Sequence, residues 1–372
     1  MSFKYLRFNL ILVIFSSVLL ATGCKDKVSL TKSGYIISKN DIELFQPNDK
    51  HKEYLDISKS TPLISTLLNN GNRKFCSGAL IGPDENDPLK RPRILTNFHC
   101  FAKVDKNKKI IDEFLDEACA NTDIHFNFNI SNSVDTLTAE CTEGQLKGDF
   151  ITDLAVFTLS ENLPKEYVPL ELWDEDSSID GREAFILHHP DIKQNFRPID
   201  GSKVNLPATA ITETDCKVIG DFPKDEWPLD PVLAFSTKHD CDLIHGSSGS
   251  ALIDKQSNKI LGINWGGIEI TFKNQHTKNN SATKATYIRS FLNNELESVK
   301  EKSKQERKAA DLEKQKNATS NSTQKFLDKS PAASCGTLRS PYNNNALQLI
   351  LLILVPFLAV LTRSAILNKT MY

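Results

Sequence analysis

The sequence predicts an all-β protein in its centre, a sandwich or a pair of barrels. From Lys59 to about Ile288 it is a series of short β-prone segments: Gly78–Ile81, Ile94–Thr96, Ile124–Phe128, Leu154–Leu159, Ala184–Leu187 and Ile260–Trp265. Pro, Gly, Asn and Asp turns separate them, the punctuation of antiparallel strands. One helical pattern closes the region, Tyr287 to Val299, where Ile288, Phe291, Leu292, Leu296 and Val299 recur at helical spacing. There is no repeat of 20 to 50 residues and no glycine-rich phosphate loop.

The chain has 372 residues, 40% hydrophobic and 25% charged, with net charge −2. A wholly disordered chain and a nucleic-acid binder driven by basic charge are excluded by that balance. The apolar residues gather at two ends, Leu10–Leu20 and Ala346–Leu361. Lys4 and Arg7, the first apolar run and then Leu20-Ala21-Thr22-Gly23-Cys24 follow the order of a secretory signal peptide over residues 1–23. Cleavage after Gly23 would leave Cys24 first, as in acylated bacterial lipoproteins. Ala21, where such sites usually carry Leu, leaves open a plain secreted start with Cys24 as a thiol or half of a bridge.

The second apolar run spans about 24 Å as a helix against a bilayer core of about 30 Å. With Arg363 snorkelling it is expected to act as a transmembrane or sorting segment over 346–362. Residues 298–345 are a charged and polar stretch, read as a solvated helix passing into a flexible spacer, with no apolar heptad for a coiled coil. The resulting organisation is a signal peptide (1–23), an N-terminal segment (24–58), a globular domain (59–297, divided near 160), a spacer and a tail. The expected setting is a bacterial cell envelope, with the globular domain monomeric.

Three local motifs carry chemistry, in the order His, Asp, Ser. Phe75-Cys76-Ser77-Gly78-Ala79-Leu80-Ile81 precedes Ile94-Leu95-Thr96-Asn97-Phe98-His99-Cys100. Asp153-Leu154-Ala155-Val156 comes next, and Gly246-Ser247-Ser248-Gly249-Ser250 is followed by Gly262-Ile263-Asn264-Trp265-Gly266-Gly267. A hydroxyl is a weak nucleophile at its own pKa, so it needs an imidazole to take its proton and a carboxylate to fix the imidazole tautomer. His99, Asp153 and Ser248 supply these groups, and the glycines beside the serine let the backbone N–H groups of Gly246 and Ser248 face a developing oxyanion.

With these motifs the chain resembles the trypsin-fold serine endopeptidases, and within them it is most similar to the bacterial glutamyl-endopeptidase-like branch, over about Leu63 to Leu292. That resemblance implies two six-stranded antiparallel β-barrels, about 59–160 and 161–285, with a cleft between them and a closing C-terminal helix. It places His99 and Asp153 on the first barrel and Ser248 on the second, and it pairs Cys76 with Cys100. Cys119–Cys141 and Cys216–Cys241 are expected as local bridges, each closing roughly 22 to 25 residues and contributing on the order of 3 kcal/mol in the chain-entropy account. Cys24 and Cys335 are left over.

Around the nucleophile the expected substrate pocket holds Asp242, His245, Asn264, Trp265 and Gly266. The glutamyl-specific enzymes carry a histidine where this chain has Asn264, which puts glutamate preference in doubt. Asp242, six residues before Ser248, has the offset of a pocket aspartate for Lys or Arg, although it also suits a structural turn. His245 is expected at the cleft edge or on the solvated surface. Neither metal nor cofactor is expected. Cys76, His99 and Cys100 lack a close C-x₂₋₄-C pair for zinc, and an α/β-hydrolase is excluded because Ser250 stands where its motif needs Gly and the partners precede the serine.

The expected activity is serine endopeptidase chemistry on protein or peptide substrates. A non-catalytic binding scaffold on the same fold and an ester hydrolase are the alternatives. Asn97-Phe98, where small residues usually precede the histidine, and Ser250-Ala251 in place of Ser-Pro give the scaffold its room.

Overall fold

The computed structural model describes residues 27–325 apart from 32–33, 38–39, 48–49, 68–72, 105–109, 114–118, 129–135, 143–144, 175–176, 193–195, 199–204, 228–229 and 273–274. The chain divides into two units, Met1–Asp328 and Lys329–Tyr372, and every described residue belongs to the first. The expected signal peptide, Cys24, Cys335 and the apolar tail lie outside the described residues. Among those described, no helix is long and apolar enough to cross a membrane.

The first strands are β1 (Lys27–Thr31), β2 (Glu43–Leu44), β3 (Leu63–Leu67), β4 (Arg73–Ser77), β5 (Ala79–Ile81) and β6 (Arg93–Thr96). They are followed by β7 (Ala102–Val104), β8 (Ile110–Glu113), β9 (Thr122–Phe126), β10 (Leu137–Glu140), β11 (Lys147–Asp149) and β12 (Leu154–Thr158). The second half adds β13 (Ala184–His188), β14 (Phe196–Pro198), β15 (Asn205–Pro207), β16 (Ala210–Thr212), β17 (Val218–Asp221) and β18 (Ser236–His239). It ends with β19 (Ala251–Asp254), β20 (Ile260–Phe272) and β21 (Gln275–Lys284).

This is the mostly-β architecture expected, but the sheets are open. The two closed six-stranded barrels implied by the resemblance appear as two four-stranded sheets, β10-β9-β3-β4 and β11-β12-β6-β5, and one nine-stranded sheet, β17-β18-β21-β20-β19-β13-β16-β2 with β1 on β20. The two small sheets meet where β4 passes into β5 across Gly78, whose missing Cβ would lie 2.8 Å from Ile94 Cγ2. Only glycine allows that close approach.

The burial pattern explains why these strands read as continuous apolar runs instead of alternating ones. Along β12, Ala155 and Phe157 enter a core with Ile64, Leu80, Ile94 and Phe126, while Leu154 and Val156 face a second core. That second core is shared with Phe185 and Leu187 of β13 and Ala251 and Ile253 of β19. The β11-β12-β6-β5 sheet is thus covered on both faces, as continuous hydrophobic strands require. β13 repeats the arrangement, with Ala184 and Ile186 in a third core around the Cys216–Cys241 bridge.

Short helix α1 (Leu55–Ser58) lies near the start, and two helices close the described chain, α2 (Ala285–Leu292) and α3 (Leu296–Lys325). The single helix expected over 287–299 is therefore broken. Asn294 adopts φ 60°, Asn294 N–H donates to Phe291 O (3.2 Å) and Glu295 N–H to Ser290 O (2.8 Å). This is a Schellman cap with asparagine in the left-handed position. Across the break, Ile288, Phe291 and Leu296 still bury into the second core. The charged stretch begins as helix and docks through Lys300–Asp149 and Lys224–Glu306 (2.9 Å).

Phe157 is 1% exposed and meets Phe101 edge to face at 5.9 Å. Phe157→Ala is expected to cost about 3–5 kcal/mol, read as a lower urea midpoint with unchanged slope.

Candidate active site

Asp153 is the hub of the first half of the site. After β6, Asn97 stays extended and Phe98–Cys100 form a single 3₁₀ turn. The Asp153 carbonyl accepts from Asn97 Nδ2 (2.9 Å) and Phe98 N–H (3.1 Å), and its carboxylate Oδ1 accepts from His99 N–H (2.9 Å). His99 Nδ1 lies 2.7 Å from Asp153 Oδ2. An ionised carboxylate only accepts, so Nδ1 carries the ring proton and Nε2 is left basic. Asp153 itself sits at φ 54°, a conformation that Asp tolerates better than most residues.

Both ends of this hub are tied down. Thr152 donates N–H and Oγ1 to Asp149 Oδ1 (2.8 and 2.7 Å), and Thr152 O accepts from Thr283 Oγ1 of β21 (2.7 Å). The Cys76–Cys100 bridge and a bond from Lys74 Nζ to His99 O hold the histidine turn.

Ser248 lies on a loop bent by Gly246 (φ 91°) and Gly249 (φ 86°). A Cβ at Gly246 would meet His189 O at 2.5 Å, and one at Gly249 would meet Thr96 Oγ1 at 2.1 Å and Ser77 O at 2.2 Å. Ser77 joins this loop to the first half. Its N–H donates to Ser248 O (2.7 Å), its Oγ donates to Gly246 O (3.0 Å) and accepts from His189 N–H (2.9 Å), and its carbonyl accepts from Thr96 Oγ1 (2.8 Å). His99, Asp153 and Ser248 are all buried, at 8%, 3% and 5% exposure.

Of the expected pocket residues, Asp242, Asn264 and Trp265 turn their side chains inward. The Asp242 carboxylate accepts from Ile37 N–H (2.7 Å) and Asp41 N–H (3.2 Å). Asn264 Nδ2 donates to Ser250 Oγ (3.0 Å) and Trp265 Nε1 to Ser236 Oγ (3.0 Å). Gly266, at φ 151°, stands beside a register shift between β20 and β21. His245 is exposed, and its carbonyl accepts from Asp191 N–H (2.6 Å). Cys119–Cys141 and Cys216–Cys241 are bonded as expected. Ligand atoms of Cys76, His99 and Cys100 lie within 4.8 Å of one another, but both sulfurs are spent in the disulfide, so no thiolate pair is available to a metal.

The support residues Ser77, Thr96 and Asn97 belong to the quoted motifs, but the motifs alone do not state their roles. His188 follows the apolar strand Ala184–Leu187 and belongs to none of those motifs. Its Nδ1 lies 2.7 Å from Ser247 Oγ, beside the candidate nucleophile. Burial, and then the neighbouring His189, pull its pKa down to about 3. Burial also takes His239 to about 3, against a contact with Asn264 that favours its charge.

Residues 76–263, just over half of the chain, match the trypsin-like peptidase domain family. The chain belongs to that family. Two solved structures similar to this trypsin-like peptidase are a Glu endopeptidase in complex with MPD and neuropsin, a serine protease of mouse brain. The first is 18% identical, covering 70% of this chain and 97% of its own with a TM-score of 0.46. Neuropsin is 14% identical, covering 68% and 99%, with a TM-score of 0.42. No curated protein matches this peptidase in sequence.

Gly249→Ala forces a Cβ into the Ser77 and Thr96 backbone and hydroxyl contacts and is expected to abolish activity, with a melting temperature lowered by several degrees. Because His188 and His239 are held neutral when folded, the unfolded chain takes up more protons below pH 6.5. Their stabilisation is complete above that pH and is lost as pH falls from 6.5 towards 3. At pH 5 the loss is about 2 kcal/mol for each. His188→Gln should flatten the decline of melting temperature between pH 6.5 and 5.

Proposed function

We propose that this peptidase is a serine endopeptidase working through an acyl-enzyme, with Ser248 as nucleophile, His99 as general base and acid, and Asp153 as the group that fixes the imidazole. The observation that carries the reading is the bidentate hold of the Asp153 carboxylate on His99, one oxygen on its backbone N–H and the other on Nδ1. With Nδ1 protonated, Nε2 takes the Ser248 proton as Oγ attacks the peptide carbonyl. The negative charge formed on the carbonyl oxygen is stabilised by the N–H groups of Gly246 and Ser248, each such donor being worth about 2.7–4 kcal/mol. The imidazolium then protonates the leaving amine. Water, deprotonated by the same His99 Nε2, cleaves the acyl-enzyme and restores the serine.

Export and tethering are part of the proposal. They rest on the order of Lys4, Arg7, the apolar run and Gly23-Cys24 at one end and on the apolar run before Arg363 at the other. In that setting the charged stretch after the catalytic domain supplies reach towards protein substrates at the bacterial envelope.

A fluorophosphonate probe should label wild type at Ser248, and the protein should cleave a denatured substrate. Ser248→Ala should lose labelling entirely and lower kcat/KM by about 10⁴-fold or more. Correctly folded wild type that neither labels nor cleaves would instead support the binding scaffold. Cleavage of esters with no cleavage of matched peptides would support the ester hydrolase.

A further inference from the structure

Two tight turns meet at Ser247, and each carries one of the proposed oxyanion donors. Ser247 N–H donates to Ile244 O (3.1 Å), closing Ile244–Ser247 around Gly246, and Ser250 N–H donates to Ser247 O (3.1 Å), closing Ser247–Ser250 around Ser248. Gly246, at φ 91°, supplies the positive φ that a type II turn needs at its third residue. Rotating the central peptide, His245–Gly246, would convert this turn to type I and reverse the Gly246 N–H. The donor keeps its direction only if that peptide is held.

The hold comes from the connection His188–Asp191 at the end of β13. In a trans peptide the carbonyl and the following N–H point opposite ways. Asp191 N–H donates to His245 O (2.6 Å), which sends Gly246 N–H the other way. Ser247 O accepts from Ser250 N–H and Ser250 Oγ (2.7 Å), which likewise directs Ser248 N–H away from them.

His188 acts on the shared corner itself. Ser247 Oγ accepts from Ile244 N–H (3.3 Å), so its own hydrogen goes to His188 Nδ1 (2.7 Å). Thr212 Oγ1 donates to Asp242 O (3.3 Å), and the His188 ring proton lies on Nε2, facing Thr212 Oγ1 (3.4 Å). Both ends of this chain of bonds are backbone atoms of Asp242–Ser247, the stretch that leads into Ser248. His188 and Thr212 are 0% exposed and Ser247 1%, which keeps bulk water from competing for the bonds. Burial first, and His189 second, hold the His188 ring neutral with a pKa of about 3, so Nδ1 keeps the lone pair that Ser247 needs.

Resting on the peptidase reading above, we infer that His188 is a positioning residue of the oxyanion hole, buried away from the substrate and acting through the Ser247 hydroxyl. The test uses the full-length protein, with kcat and KM measured per site titrated by a fluorophosphonate probe carried to its endpoint, so that misfolded protein drops out. His188→Leu and Ser247→Ala should each lower kcat about 10- to 100-fold and leave KM within about twofold. His188→Asn, whose Oδ1 can take the place of Nδ1 as acceptor, should recover most of the loss. Combining His188→Leu with Ser247→Ala should cost no more than the worse single change, because both remove the same bond. Unchanged kcat per titrated site in Ser247→Ala, losses that multiply in the double variant, or an Asn variant no better than Leu overturns the inference. Ser247→Ala, which removes a single oxygen, decides the matter where His188→Leu fails to fold. A wild type that cleaves and is matched per site by these variants refutes this inference alone, whereas a wild type that neither labels nor cleaves refutes the peptidase reading as well.

Discussion

The buried carboxylate of Asp153 is the constraint around which the site is built. A buried charge is tolerated only when it is paired and fully hydrogen-bonded. The Asp153 carboxylate meets that condition by binding His99 twice, at the backbone N–H and at Nδ1, while the Asp153 carbonyl separately accepts from Asn97 and Phe98. These bonds force the chain after β6 into one tight turn and set the direction of the imidazole. The conformation of residues 97–100 follows from satisfying this residue, together with the Cys76–Cys100 bridge and the Lys74 bond to His99 O.

The remaining supports pass that fixed point to the rest of the molecule. Thr152 O is held by Thr283 of β21, so the Asp153 turn is bonded to the large sheet as well as to its own. Ser77 does the reverse from β4, bonding the backbone on both sides of Ser247 through Gly246 O and Ser248 O. The apolar side of the same junction is the core shared by Leu95, Leu154 and Val156 with Phe185, Ala251 and Ile263. Polar bonds fix the angles between the two halves, while shared hydrophobic burial supplies most of the attraction.

Much of this was legible because it is local. Strands such as Ile94–Thr96 and Leu154–Leu159 announce themselves as apolar runs between turn residues, and the His, Asp and Ser segments carry their own neighbours with them. What failed to show was direction. Asp242 has the right offset for a pocket residue, yet the Ile37 and Asp41 amides, between β1 and β2 and more than two hundred positions away in sequence, claim its carboxylate. Trp265, which reads as a pocket wall, is fully buried with Phe222 and Ile268. The helix break is a third case, because apolar spacing continues through it and only the left-handed backbone of Asn294 shows that the axis changes.

The C-terminal helix gains a second role from the same logic. Its charged sequence reads as reach, and its outer i,i+3 pairs, Lys300–Glu297 and Lys304–Glu301, are exposed pairs worth little individually. Lys300 differs because its other partner, Asp149, is the residue that holds both Thr152 donors immediately before Asp153. Burial alone would lower the Lys300 pKa, but hydrogen bonds from its ammonium to Asp149 and Glu297 raise it overall. A lysine that stays charged at a half-buried position sets a positive charge beside the carboxylate that holds both Thr152 donors. The first turns of the helix thus belong to the framework of the active site, and any tethering function begins only beyond them.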